Sequence, residues 1–291
     1  MRSVVIVLAF LSVLLFIALQ TYAAEYHVKL DGTGDFTAIQ EAIDVARDGD
    51  TIVVHPGTFY ENIHFEGKNI TLTSTDIWDR DVVEATVIDG QQLASVVTFA
   101  GTEDETCELS GFTITNGRTI DDGASGSVVT FAGAENETCE LSGLTITNGE
   151  IAGRGAGIKG QDAECNIRNC IITGNIATGS MSDGAGMDRC CGVISNCVIK
   201  ENEILDASLY SDRAAVSDCD AIITECLVRD NKCNGMIWDD GVMSNCIIRD
   251  NSGMGVRMVS GIMFNCTITG NSGTGVTCYE GIISNCLISY N

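Results

Sequence analysis

From residue 107 onward, apolar residues recur at fixed offsets around a short repeated phrase. It reads Ser244-Asn-Cys-Ile-Ile-Arg-Asp-Asn251 in one copy and Phe264-Asn-Cys-Thr-Ile-Thr-Gly-Asn271 in the next. Aligned on the central residue, eight copies place Phe112, Leu144, Cys170, Cys197, Cys226, Cys246, Cys266 and Cys286 in one column, at steps of 32, 26, 27, 29, 20, 20 and 20 residues. A basic step of 20 with longer excursions is the pattern of a stacked coil that carries loops of variable length.

The apolar columns say what kind of coil this is. Three before the centre stand Leu109, Leu141, Ile167, Ile194, Ile223, Met243, Met263 and Ile283; two after it stand Ile114, Ile146, Ile172, Ile199, Val228, Ile248, Ile268 and Ile288. Side chains alternate faces along a strand, so offsets of minus three and zero cannot share one face unless the chain turns between them. The position before the centre is Gly111, Gly143, Asn169, Asn196, Glu225, Asn245, Asn265 and Asn285, mostly residues that tolerate positive φ, and it marks that turn. A second Gly or Asn column, Gly117, Gly149, Asn175, Asn202, Asn231, Asn251, Asn271 and Asn291, is expected to end the next strand in the same way. Met236, Val256 and Val276, with Trp238, Met258 and Cys278 two residues on, add a third strand. Each coil is then a triangle of three short strands. Stacked in parallel at about 4.8 Å, such coils make an all-β, right-handed parallel β-helix.

Composition agrees with strands and tight turns: 32 glycines, one proline and 45% hydrophobic residues. Residues 1–23 have the charged start, the apolar run Val4 to Leu19 and the small-residue exit of a secretory signal peptide. An uncleaved anchor is the alternative, and no second apolar span follows. Residues 24–90 form a cap and the first coils. Within them Thr37-Ala-Ile-Gln40 reads as a capping box opening a short helix with Ile39, Ala42, Ile43 and Ala46 on one face, stopped by Asp48-Gly49. Such a helix would cover the open end of the solenoid. Residues 91–291 are the repeats. They stop at Asn291 on the turn column without a cap, so either the last coil associates end to end or further coils lie beyond.

Asp31-Gly-Thr-Gly-Asp-Phe-Thr-Ala-Ile-Gln-Glu-Ala-Ile-Asp44, Pro56-Gly-Thr-Phe-Tyr-Glu-Asn-Ile63 and Lys68-Asn-Ile-Thr-Leu72 resemble the opening of pectinesterases and of the wider pectin-lyase-like group of β-helix proteins. The later repeats are similar to those of secreted bacterial β-helix proteins. The resemblance implies the fold and a carbohydrate partner. It does not extend to the pectinesterase Asp-Phe-Ile-Phe-Gly and Gly-Arg-x-Trp phrases, nor to the polygalacturonase Asn-Thr-Asp and Gly-His-Gly phrases, which this chain lacks. His27, His55 and His64 all precede the repeats, so catalysis in the coils would fall to carboxylates, Lys, Arg or Tyr.

Lys200, Arg229 and Arg249 share one outward column in successive coils, a cationic ladder with rungs about 5 Å apart. Among 40 acidic and 16 basic residues, this is a candidate grip for uronate carboxylates. In a lyase, one of these side chains would act as base beside a cation held by Asp230 and Asp250. The alternative is that Glu201, Asp230 and Asp250 merely neutralise the ladder. Asp239-Asp240 beside Trp238 suggests paired carboxylates with a stacking ring, but Trp238 shares a core column and adjacent strand residues face opposite sides. Asp121-Asp122 is a weaker candidate.

A net charge of −24, spread over loops such as Glu103-Asp-Glu105 and Glu135-Asn-Glu137, argues against nucleic acid or anionic membranes as partners. Calcium would be drawn to these loops, yet neither an EF-hand nor a nonapeptide repeat is present; no metal site or other cofactor is expected. Fourteen cysteines would suggest disulfides in an exported chain. Six of them fill the inward central column as small hydrophobes, while Cys190, Cys191, Cys219 and Cys233 fall at loop edges, open to oxidation. Two identical-looking coils, Ser95 to Gly117 and Ser127 to Gly149, differ only at Thr102/Ala134, Asp104/Asn136 and Phe112/Leu144, which favours a tolerant scaffold. The expected function is a secreted carbohydrate-binding or adhesive module, extracellular, at the cell surface or periplasmic. Its partner would be a polysaccharide or cell-surface glycan, and the alternative is a uronate polysaccharide lyase or a pectinesterase-like enzyme.

Overall fold

The computed structural model describes residues 23–119, 126–131, 139–205 and 213–291. Residues 1–22 of the expected signal segment, Asp121, Asp122, Glu135 and Glu137 lie outside these ranges.

One late coil runs through Val242–Ser244, Ile247–Arg249 and Val256–Met258 before the next begins at Ile262–Phe264. Stacking produces three long sheets. The first has eleven strands, from Glu25–Val28 to Ile282–Ser284; the second has ten, from Gly57–Phe59 to Leu287–Ser289; the third has nine, from Ile63–His64 to Val276–Cys278. Described strand pairs are parallel and keep the register read from the repeats: Ile167, Ile194, Ile223, Met243 and Met263 are successive partners, as are Met236, Val256 and Val276. This is a right-handed parallel β-helix. Its inward columns form one continuous core in which Leu109, Ile114, Val129, Ile167, Ile172 and Ile248 are fully buried. The Phe65, Phe99 and Phe131 rings stack along the axis with centroids 4.5 and 4.8 Å apart, adding aromatic contacts to area burial.

The first turn column behaves as expected. Gly111, Gly143, Asn169, Asn196, Glu225, Asn245, Asn265 and Asn285 all have φ between 51° and 78°. The second column differs from expectation. Its left-handed residues stand one position earlier, at Asn116, Asn148, Gly174, Glu201, Asp230, Asp250, Gly270 and Tyr290. The asparagines that follow are turned inward and stack: Asn175, Asn202, Asn231, Asn251 and Asn271 are at most 2% exposed. Asn231 Oδ1 accepts from the backbone N (3.0 Å) and Nδ2 (3.1 Å) of Asn202, while its Nδ2 donates to Ile199 O (3.1 Å) and Asn251 Oδ1 (2.9 Å). The ladder exists because a bend in the coil leaves backbone polar groups facing the core, and a buried amide satisfies donor and acceptor together.

All fourteen cysteines are free. Cys170, Cys197, Cys226, Cys246 and Cys266 are buried in the central column, where hydrogen bonding to the neighbouring thiol, and then burial, push Cys226 and Cys246 up to about 12. Cys190 and Cys219, expected at loop edges, are instead fully buried. They close the third sheet and face the core, so their thiols are shielded from oxidants.

Helix α1 (Ile39–Val45) buries Ile39, Ala42 and Ile43 and packs against Glu25–Val28, Thr51–Val54 and Ile63–His64 at the N-terminal end of the stack. Its first turn is not held by the expected capping box. Glu61 reaches over from the next coil, and its carboxylate accepts from Ile39 N (2.8 Å) and Gln40 N (2.9 Å), a charge-assisted cap that suits the helix dipole. Gln40 is freed to pair with the backbone of His64, accepting from its N (2.8 Å) and donating to its O (3.2 Å).

A fourth sheet was not foreseen. The long excursions after the second sheet are themselves strands, Arg118–Thr119, Glu150–Arg154, Ile176–Asp183 and Glu203–Ile204, paired in parallel. Ile151, Ala156, Ala177 and Ala185, with Ile204, form a small core of their own beneath it.

Candidate functional site

The fourth sheet forms a wall beside the third, and ionisable side chains gather where the chain passes from one to the other. In two successive coils that passage is a tight turn at a left-handed glycine, Gly155 (φ 75°) and Gly184 (φ 54°). A Cβ there would lie 2.8 Å from Ile158 O or 2.5 Å from Met187 O, so only glycine fits. The turns set Arg154 and Asp183 as register partners at the wall's edge, facing the outward column of the third sheet, in which Thr130, Lys159, Asp188 and Ser217 are successive neighbours.

Arg154 is the hub. Its Nε donates to Asp188 Oδ1 at 2.9 Å; its terminal nitrogen contacts Asp218, lies 3.6 Å from Asp183 and reaches Ser217 Oγ at 3.5 Å. Asp183 also accepts from Gly184 N, Ala214 N and Ser217 Oγ at 2.8 to 2.9 Å. The Asp188 side chain is entirely buried. Burial raises its pKa to about 6, although Arg154 and then Arg189 act to lower it; burial likewise raises Asp183 against its hydrogen bonds. Arg189 lies 3.4 Å from Asp188 and 3.6 Å from Asp162. Lys159 stands apart from this pairing. Among the described residues its ammonium makes no hydrogen bond or close ion pair; burial, followed by the proximity of Arg189, holds it below its ordinary pKa, against the charge of Asp188. The arrangement offers a buried carboxyl that titrates near neutrality beside three cations, Arg154, Arg189 and Lys159, the last without a direct ion pair among the described residues.

Over 92% of its length the chain superposes on pectate lyase Pel9A, covering 78% of that protein at 12% identity with a TM-score of 0.54. The chain shares the parallel β-helix fold of that protein. Weaker superpositions of this β-helix are found with pectin methylesterase from Aspergillus niger (14% identity, 92% and 85% of the two chains, TM-score 0.49) and with that from carrot (12% identity, 92% and 84%, TM-score 0.45). No protein-family model matches the chain, and no curated protein matches it in sequence.

The ladder read from the sequence lies elsewhere on the β-helix, on the second sheet. Lys200, Arg229 and Arg249 are register partners. Each contacts the acid that follows it: Lys200 Nζ lies 3.1 Å from Glu201, Arg229 touches Asp230, and Arg249 touches Asp250. Trp238 is 2% exposed and belongs to the core, while Asp239 and Asp240 are exposed loop residues. Among the described residues no group of three or more His, Cys, Asp or Glu side chains is arranged to hold a metal ion. Sequence reasoning missed the Arg154, Lys159, Asp183, Asp188 and Arg189 cluster because those residues fall in the excursions between aligned phrases. The available signal was the recurrence of Glu150-Ile151, Ile176-Ala177 and Glu203-Ile204 directly after the second Gly or Asn column.

Proposed function

We propose that the protein is an exported β-helix that holds acidic polysaccharide against the edge of its third sheet, as a binding or adhesive module, with Lys159 and Arg189 contacting uronate carboxylates. The observation that carries this is Lys159: a half-buried ammonium that makes no hydrogen bond or close ion pair among the described residues, in a chain of net charge −24. A partly desolvated cation without a directly bonded carboxylate is costly, and an anionic ligand offsets that cost. Supporting the glycan class is the fold shared with a pectate lyase. Supporting export is the signal-like composition of residues 1–23; no helix among the described residues is long and apolar enough to cross a membrane.

One observation favours a second reading, a uronate lyase. An amine whose pKa is lowered is a better base near neutrality. Lys159 would take the proton α to the uronate carboxylate, the electron pair would form the C4–C5 double bond, and the glycosidic C4–O bond would break, its oxygen taking up a proton from the Lys159 ammonium or from water to leave an unsaturated end and a new reducing end.

The test is retention of polygalacturonate and alginate, against a neutral glucan, with and without calcium, while unsaturated products are followed by ultraviolet absorbance. Binding that is lost in Lys159→Ala/Arg189→Ala but kept in Arg229→Ala/Arg249→Ala supports the assignment; loss only in the latter moves the site to the ladder with Asp230 and Asp250. Products that disappear in Lys159→Ala select the lyase. A folded wild-type protein that retains no acidic polysaccharide ends both readings.

A further inference from the structure

Trp78 is one of two tryptophans in the chain and stands 73% exposed. Its loop, between the first-sheet strand Thr71–Ser74 and helix α2 (Arg80–Ala85), is firmly built. Asp76 Oδ1 accepts from Trp78 N (2.9 Å) and Asp79 N (3.2 Å), and Asp79 in turn caps α2 through Asp81 N (3.0 Å). The loop lies over the corner between the first and second sheets, where two coils carry glycine instead of the usual asparagine. A Cβ at Gly111 would meet Ile77 Cγ2 at 2.7 Å, and one at Gly143 would lie 3.1 Å from Ile77 O. Those glycines are therefore the seat of the Trp78 loop.

Beside the ring runs a shallow groove of about 140 Å³, with Ile77, Val83 and Ile171 as apolar lining and Arg80, Thr145 and Asn169 as polar groups. This is well below the roughly 300–1,000 Å³ of drug-sized pockets and suits a single ring with one apolar face and a hydroxylated edge. A large aromatic side chain fixed in solvent by its own loop costs hydrophobic free energy unless something stacks on it.

We propose that Trp78 and this groove form a saccharide subsite in which a hexopyranose stacks its C–H face on the indole while its hydroxyls meet Thr145, Asn169 and Arg80. In a triangular coil, the corner between the first and second sheets lies opposite the third sheet, so this subsite is separate from Lys159 and Arg189 and does not depend on their role. It shares with that reading only the saccharide nature of the ligand.

The other tryptophan, Trp238, is buried, so it serves as an internal control for fluorescence. The full chain is titrated with cellohexaose and with hexagalacturonate while tryptophan emission and acrylamide quenching are recorded. A saturable blue shift with protection from quenching, absent in Trp78→Phe, is expected for at least one oligosaccharide. Calorimetry on Trp78→Ala should show affinity lowered about tenfold, the size of an aromatic stacking contact, with circular dichroism unchanged. Gly111→Asn, which keeps the indole but drives a Cβ against Ser74 Oγ and Ile77 Cγ2 and so displaces its loop, should weaken binding as well. The response should persist in Lys159→Ala/Arg189→Ala; its loss there would refute a separate subsite. No emission change with either oligosaccharide at millimolar concentration, or undiminished affinity in Trp78→Ala, would overturn the proposal.

Discussion

Asp188 is the residue whose chemistry is most altered by the fold. The unfolded chain titrates it near 3.8, whereas burial sets it at about 6 in the folded protein, in spite of Arg154. Between these values the native state binds the proton more tightly. The stability it contributes is thus complete below about pH 4 and is lost as pH rises through about 6, by on the order of 3 kcal/mol for a shift of this size. In Asp188→Asn that part of the pH dependence should vanish. The variant should match or exceed wild type at neutral pH, because Asn still accepts from Arg154, which keeps Asp183 and Asp218 as partners. Urea midpoints measured from pH 4 to 7 decide the matter; parallel curves for the two proteins would show that Asp188 does not titrate differently on folding. Asp183, raised in the same direction, remains in the variant and leaves a smaller slope of the same sign.

At the scale of elements, the two kinds of asparagine make different demands. Asn231, inside the ladder, satisfies groups in coils on either side. Asn231→Ala should cost about 2–4 kcal/mol, since it leaves two or more buried polar groups unmet. Asn245, at the exposed corner with φ 55°, contributes mainly its tolerance of the left-handed region, so Asn245→Ala should cost about 1 kcal/mol. Equal losses in chemical denaturation would contradict this division. The sequence alone carries the columns and hence the coil, because inward residues recur where the backbone repeats. It leaves the two asparagine columns alike, because turn propensity and amide stacking select the same residue type. The same limit applies at the site. Lys200, Arg229 and Arg249 are visible because they lie in register with the repeat, whereas Arg154, Lys159 and Asp188 are brought together by a fourth sheet whose strands differ in length from coil to coil. Helix α1 is legible from its apolar face, but its cap is not, since Glu61 arrives from another coil.

As a whole molecule, the protein is a stack in which each coil bonds mainly to the one before and the one after, so stability is close to a sum over neighbours. The paired coils Ser95 to Gly117 and Ser127 to Gly149 match at all but three positions. Removal of residues 96–127, one full step of 32, should therefore leave a chain that folds cooperatively and is shorter by one rung. The deletion also carries Asn169 into the place of Gly143, where its Cβ would press on Ile77 O and shift the Trp78 loop. Circular dichroism and small-angle scattering test the first expectation and Trp78 emission the second; a disordered deletion variant would contradict additive stacking.

That near-identity also bears on how such a molecule changes over generations. Two adjacent stretches this alike can misalign when their coding sequences recombine, and the products differ by a whole rung. An insertion elsewhere must be accommodated by a loop, but a slip here is already in register, with matching strand edges above and below. The length of the stack, about 4.8 Å per coil, is then inherited as an integer, and the protein can extend or retract its reach without passing through a form that fails to fold.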